Sequence, residues 1–211
     1  MNTYDTLEKL TARYPALDEI KDNISAAFNI IKETYENGGK LLCCGNGGSC
    51  ADCDHIVGEL MKNFKLKRSA PYKISEKLAQ MGDMGKTLAK NLEGALPAIS
   101  LCGHSALTTA YLNDTNPHLT YAQQLLGYGR KGDTLLALTT SGNSENCLYA
   151  AMTAHAMGIK VISMTGAGGG KIKAFSDISI AVSETETYLV QEYHLPIYHC
   201  LCAMLEAEFF S

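Results

Sequence analysis

The sequence predicts an α/β fold: a doubly wound, five-stranded parallel sheet flanked by helices, with helices ahead of it and a long helix at the carboxyl end. Three observations carry that expectation. Five short, near-continuous apolar runs recur along the chain, as strands covered on both faces require. Helix-period segments alternate with them, which implies parallel pairing through right-handed crossovers. A Gly-rich turn, Gly45-Asn46-Gly47-Gly48, joins the first run to a helix at the sheet end where such folds bind ligands.

In chain order, Tyr4, Leu7, Leu10 and Tyr14 stand at helical spacing until Pro15 breaks the run. A second helix follows with Leu17, Ile20, Ile24, Phe28, Ile31 and Tyr35, and Asn37-Gly38-Gly39 stops it. These amino-terminal helices, residues 1–37, carry an apolar stripe that must bury against the sheet or another copy of the chain. The first strand is read at 40–44, and Ser49 with Asp52 as a capping pair opening the next helix. Residues 61–96 read as a helical insertion, with Ile74, Leu78, Met81, Leu88 and Leu92 interrupted by Gly82 and Gly85. Further strands are expected at 97–101, 134–139, 160–165 and 177–182. Asn143 or Ser144 can cap a helix from Glu145 to Met157. The last helix, Val190 to Phe210, presents Leu195, Tyr198, Cys202, Leu205 and Phe209, with Pro196 in its interior. Residues 1–211 read as one domain.

Eighteen Lys and Arg stand against 22 Asp and Glu, a net charge of −4, so no basic excess exists to hold nucleic acid by a broad electrostatic surface. No apolar run reaches membrane-span length and the polar start does not resemble a signal peptide. The expectation is a cytoplasmic protein with reduced thiols and a small polar ligand. Of the eight cysteines, Cys43, Cys44 and Cys102 fall in strand-like runs and Cys200 and Cys202 in a helix-like run, as small hydrophobes do. Cys50 and Cys53 form a C-x-x-C, which reads either as structural or as a redox or zinc pair.

The turn at 45–48 opens a helix, and its free N–H groups suit a phosphate or another anion. His55 and Glu59, four apart, share one face of that helix, a turn or so away, and can hold a metal or move protons. A second loop of like chemistry, Thr139-Thr140-Ser141-Gly142-Asn143-Ser144, ends the third strand; turn and cap duty alone would also explain it. Gly166-Ala167-Gly168-Gly169-Gly170-Lys171 reads as a flexible turn ending in a solvated lysine. The dinucleotide spacing G-x-G-x-x-G is not met, so a nicotinamide cofactor is not indicated. Gln191, Glu192, His194 and His199 gather near the start of the last helix.

Taken together, these segments resemble the sugar isomerase (SIS) domain family, with its flavodoxin-like fold, and within it the phosphoheptose isomerases. The resemblance runs from about Tyr35 to Phe210 through the two Ser/Gly loops, His55 with Glu59, Asn113-Asp114, Thr165-Gly166, Gly169-Gly170-Lys171, Gln191-Glu192, His194 and His199. It implies interconversion of sedoheptulose 7-phosphate and D-glycero-D-manno-heptose 7-phosphate through an enediol, by a zinc-dependent homotetramer with sites between subunits. It implies that Asn46, Gly47, Gly48, Ser49, Asn113, Asp114, Thr139, Thr140, Ser141 and Ser144 contact the sugar phosphate, with His55, Glu59 and Gln191 also in the binding set. His55, Glu59, Gln191 and His199 would hold Zn2+, and Glu59 and His199 would be the acid and base.

Gln191 and His199 lie eight apart, about 12 Å along an ideal helix, so they need either a kink at Pro196 or a site shared between subunits; sharing is the favoured reading, and His194 is a rival ligand. Three departures from the family pattern stand out: the insertion at 61–96, Leu189 where an arginine is expected, and Pro196. The competing function is a catalytically silent SIS module that binds a phosphosugar or a partner protein; an isomerase of a related ketose phosphate is a nearer variant. A redox or zinc protein built on Cys50 and Cys53 is a third.

Overall fold

The structure is a computed structural model in which residues 3–211 are described, Tyr4 by its backbone alone. Two helical segments come first, α1 (Thr3–Arg13) and α2 (Lys21–Glu36), joined by a 3-10 turn at Pro15–Ile20. Pro15 therefore does not simply end a helix; its fixed φ starts the tighter turn that redirects the chain. The sheet consists of β1 (Leu41–Gly45), β2 (Ala98–Ser100), β3 (Thr134–Leu138), β4 (Lys160–Thr165) and β5 (Ile178–Ala181). All pairings are parallel, and the strand order is β2-β1-β3-β4-β5.

Alternation along the strands sorts side chains into two cores. Leu41, Cys43, Leu136, Leu138, Ile162, Met164 and Ile180 face one side, against α1, α2, α3 (Gly48–Met61) and α9 (Thr187–Phe210). Leu42, Cys44, Leu135, Ala137 and Val161 face the other, against α7 (Thr120–Tyr128) and α8 (Glu145–Ala156). Both faces being covered explains why the strands read as unbroken apolar runs. Each fully buried Leu or Ile adds about 1.5–3 kcal/mol. Small Ala150, Ala151 and Ala154 let α8 lie close to the sheet.

The insertion folds as a hairpin of α4 (Tyr72–Ala79) and α5 (Gly82–Asn91), which pack chiefly on each other. Tyr72, Ile74, Met81, Met84, Leu88 and Leu92 remain exposed. Its two ends are pinned together: Leu96 N donates to Leu60 O at 3.0 Å, and Asn63 N to Glu93 Oε2 at 2.8 Å. Beside this neck, buried Arg68 forms an ion pair with buried Glu206 of α9 at 2.7 Å. Arg68 also donates to Leu60 O at 2.7 Å and Glu59 O at 2.9 Å, two carbonyls left open by the end of α3. Glu206 in turn accepts N–H groups of Phe64, Lys65 and Leu66. Burial pushes the Glu206 carboxyl up, but these donors together hold it below the usual range.

Chain α6 (Ser105–Asp114) follows β2. Pro196 lies inside α9, which nonetheless runs unbroken from Thr187 to Phe210. No helix among the described residues is long and apolar enough to cross a membrane.

Candidate active site

In this strand order the chain leaves β1 toward one face and β3 toward the other, so a crevice opens beyond the carboxyl ends of these neighbours. The two Gly and hydroxyl loops lie on its two sides. Asn46 of the first loop and Asn146, in the first turn of α8 just past the second loop, exchange reciprocal amide bonds of 2.9 and 2.8 Å. Tyr121 secures the first loop by donating to Gly45 O. Gly47 takes a φ of +57°, which admits the sharp turn into α3. In the second loop Gly142, at φ +65°, lies against the backbone of Gly169 and Gly170, where a Cβ has no room. The Gly-rich turn at 166–170 is thus a packed floor for the second loop, with Lys171 N donating to Asn143 Oδ1 at 3.1 Å.

Farther along α3 a titratable cluster forms against α9. His55 Nε2 is 3.2 Å from Glu59 Oε1, and His55 Nδ1 is 3.0 Å from Tyr198 Oη. Tyr198 donates to Asp52 Oδ1 at 3.0 Å. With that hydroxyl proton committed to Asp52, the Tyr198 oxygen is left to accept from His55 Nδ1. The His199 ring stands 4.9 Å from that of His55, centroid to centroid. Burial lowers the His199 pKa, His55 lowers it further, and Glu59 opposes both. Glu59 Oε2 and His199 Nε2 are buried with no partner. His199 also borders a cavity of about 430 Å³ between α1 and α9, lined by Lys9, Arg13, Phe64 and Lys65 among others.

A SIS domain family model matches residues 7–94 and 83–166. The chain is 32% identical to the phosphoheptose isomerase of Akkermansia muciniphila, over 94% of this chain and 92% of that one. It is 34% identical to the phosphoheptose isomerase of Helicobacter pylori strain P12, over 92% and 88%. The chain belongs to the SIS domain family, in its phosphoheptose isomerase branch. A phosphoheptose isomerase structure from Francisella tularensis superposes with a TM-score of 0.76 at 30% identity, covering 98% of this chain and all of that one. The Neisseria gonorrhoeae phosphoheptose isomerase GmhA gives 0.75 at 28%, covering 95% and 94%.

Against this SIS fold, each expected site residue has a definite place. Asn46, Gly47 and Gly48 form the first loop and Thr139, Thr140, Ser141 and Ser144 the second. Ser144 is the N-cap residue of α8, in line with one of the two expected caps, but its hydroxyl takes a bond from Thr139 at 3.2 Å and makes none to the helix N–H groups. The Ser49 and Asp52 capping pair is absent: Gly47 is the N-cap, Ser49 is buried inside α3, and Asp52 holds Tyr198. His55 follows Gly48 by seven residues, about 10 Å of helix, so the cluster lies two turns from the loop and not one.

Gln191 does not join the cluster. Its amide covers Gly48, where an added Cβ would come within 2.8 Å of Nε2. His194 is fully buried, sits 3.4 Å from Thr165 O, and is pushed down to about 4 by burial. Asn113 and Asp114 are exposed at the end of α6, bonded to each other at 2.7 Å and, among the described residues, to neither loop. Asp52, Tyr198, Asn146 and Arg68 were not expected in the site. Tyr198 reads as one more apolar-stripe residue, and the sequence signal that separates it is its place beside His199.

Proposed function

We propose that the chain is an aldose-ketose isomerase that converts sedoheptulose 7-phosphate to D-glycero-D-manno-heptose 7-phosphate. The single observation that carries this reading is the convergence of Glu59, His55 and His199 on one wall of a chain whose two anion-suited loops share the β1/β3 crevice. Moving a carbonyl from C2 to C1 needs a proton taken from C1 and returned to C2, with protons exchanged between O1 and O2. Glu59, carrying an unpartnered Oε2, is assigned the carbon-bound proton. His199 Nε2 is assigned the oxygens, since an imidazole both gives and takes a proton. Asp52 and Tyr198 fix the His55 ring, which orients Glu59. The loops hold the phosphate through backbone N–H groups and hydroxyls, and that remote binding positions the reacting carbons.

Zinc belongs to the same proposal. The fit is chemical: Glu59 Oε2 and His199 Nε2 are buried atoms in need of a partner, and with His55 and Gln191 they make a nitrogen and oxygen donor set. Bound there, the ion would polarise the substrate carbonyl. Among the described residues of one chain, no group of three or more His, Cys, Asp or Glu is arranged to hold a metal, and Gln191 stands apart. Scattered donors, with Asn113 and Asp114 outside the crevice, support a homotetramer whose sites are completed between subunits.

Incubation of the chain with sedoheptulose 7-phosphate and other ketose phosphates, with and without zinc, and identification of products by NMR tests the proposal. Glu59→Gln is expected to lower kcat by about 10² to 10⁴ while calorimetry still detects substrate. Full turnover by that variant rejects Glu59 as the base. Binding without turnover by the native chain favours the silent module.

A further inference from the structure

The cavity between α1 and α9 has no task in isomerisation, although the catalytic cluster lends it part of its wall. Three cations line it: Lys9 and Arg13, four apart on one face of α1, and Lys65, from the segment that follows α3. Among the described residues no carboxylate stands within ion-pair distance of any of the three, and Arg13 rests over the Tyr14 ring at 5.3 Å. Glu192 supplies the only carboxylate among the described lining residues. A chain of net charge −4 thus gathers positive charge at one hollow, where like charges repel unless an anion covers them.

Away from the cations the lining is apolar. It includes buried Leu10, Cys200 and Ala203, half-buried Phe64 and Pro196, and Leu195. The volume, about 430 Å³, lies within the range of small-molecule sites, about 300–1,000 Å³. Thr6, Tyr14, Glu192 and His199 are the other polar side chains of the lining, too few to pair with the many hydroxyls of a free sugar phosphate. The lining suits a flat, largely apolar body that carries more than one phosphate charge.

We propose that this cavity binds a nucleotide, its base lying on the apolar lining beside Phe64 and its phosphates held by Lys9, Arg13 and Lys65. Arg13 offers phosphate a planar fork of donors, and the two lysines add point charges from separate elements. The cavity and the catalytic cluster share one side chain. The His199 ring lies 4.9 Å from that of His55 and 5.6 Å from that of Phe64, centroid to centroid, and both Phe64 and His199 line the cavity. A base packed there restrains the imidazole assigned to the substrate oxygens, so turnover falls without competition for the phosphate loops. That consequence alone rests on the isomerase reading.

Isothermal titration calorimetry of the full chain with ADP tests the site, with adenosine and inorganic phosphate as partial ligands. The expected result is one ADP per chain, weakened by added salt, with each partial ligand bound at least about tenfold less tightly. Lys9→Gln combined with Arg13→Gln should weaken ADP by at least about tenfold, since it removes charged hydrogen bonds to phosphate. Lys65→Gln should weaken it as well from a different element, which keeps the question decidable if the α1 variant fails to fold. No heat with ADP, phosphate bound as tightly as ADP, unchanged affinity in the folded variants, or displacement of ADP by sedoheptulose 7-phosphate would each overturn the assignment. Calorimetry needs no turnover, so ADP held by a chain that converts no ketose phosphate sinks the isomerase reading and leaves this site standing.

Discussion

Arg68 has no distinguishing signal in the sequence: it lies in a basic stretch, Lys65-Leu66-Lys67-Arg68, that reads as solvated charge. The fold buries it completely, and its guanidinium bonds Glu206 and the open end of α3 together. Through the Glu59 carbonyl it also sets where the helix bearing Glu59 ends. Arg68→Met leaves the Glu206 carboxylate to the N–H groups of Phe64, Lys65 and Leu66 alone, and the expected loss is about 1.5–3 kcal/mol in urea unfolding. His55, Glu59 and His199 were legible because their residue types and spacing carry chemistry. Arg68 and Asp52 were not, since a charge becomes informative only once its burial is known.

Elements tell a similar story at larger size. The helices were read well wherever one apolar stripe faced one core, as in α2. The start of α3 was misread where a hydroxyl residue looked like a cap, because Gly47 is its N-cap, whereas α8 begins after Ser144 as expected, without a bond from the hydroxyl. Loop geometry depends on contacts between segments far apart in sequence, such as Gly142 against Gly169 and Gly170. Gly142→Ala combines a left-handed backbone with no room for a Cβ, so a loss of about 1–3 kcal/mol is expected. Calorimetry should record a melting point lower by about 2–4 °C per kcal/mol, since the chain is of that size class. Pro196, one of two ways by which Gln191 and His199 were expected to converge, does not break α9; its missing N–H leaves the Glu192 carbonyl open on the exposed side, where water can serve it.

For the molecule as a whole, the sheet was legible because covered strands alternate with helices, and strand order then follows from chain geometry. What the sequence withheld was placement: Gln191 covers Gly48, and Asn113 and Asp114 are exposed at the end of α6, positions that no spacing rule reveals. Global stability also carries a pH signature. Burial holds His194 at about 4 against an ordinary 6.5, so its neutral form belongs to the folded state. Its contribution, about 3 kcal/mol, is fully present above 6.5 and is lost as pH falls from 6.5 toward 4, where the unfolded chain binds the proton first. Urea midpoints across that window should fall for the native chain and fall less for His194→Gln, whose amide can still donate to Thr165 O.

The neck of the α4–α5 hairpin has an evolutionary corollary. With Leu60 joined to Leu96 and Asn63 to Glu93, both strands of backbone leave the body at one point already closed. Lengthening or exchanging what hangs there costs little loop entropy, since each doubling of a loop adds only about 0.6 kcal/mol. Beyond Arg68, the α4–α5 hairpin is a port at which descendants can try new appendages while the Arg68–Glu206 pair and the helix end it closes stay in place.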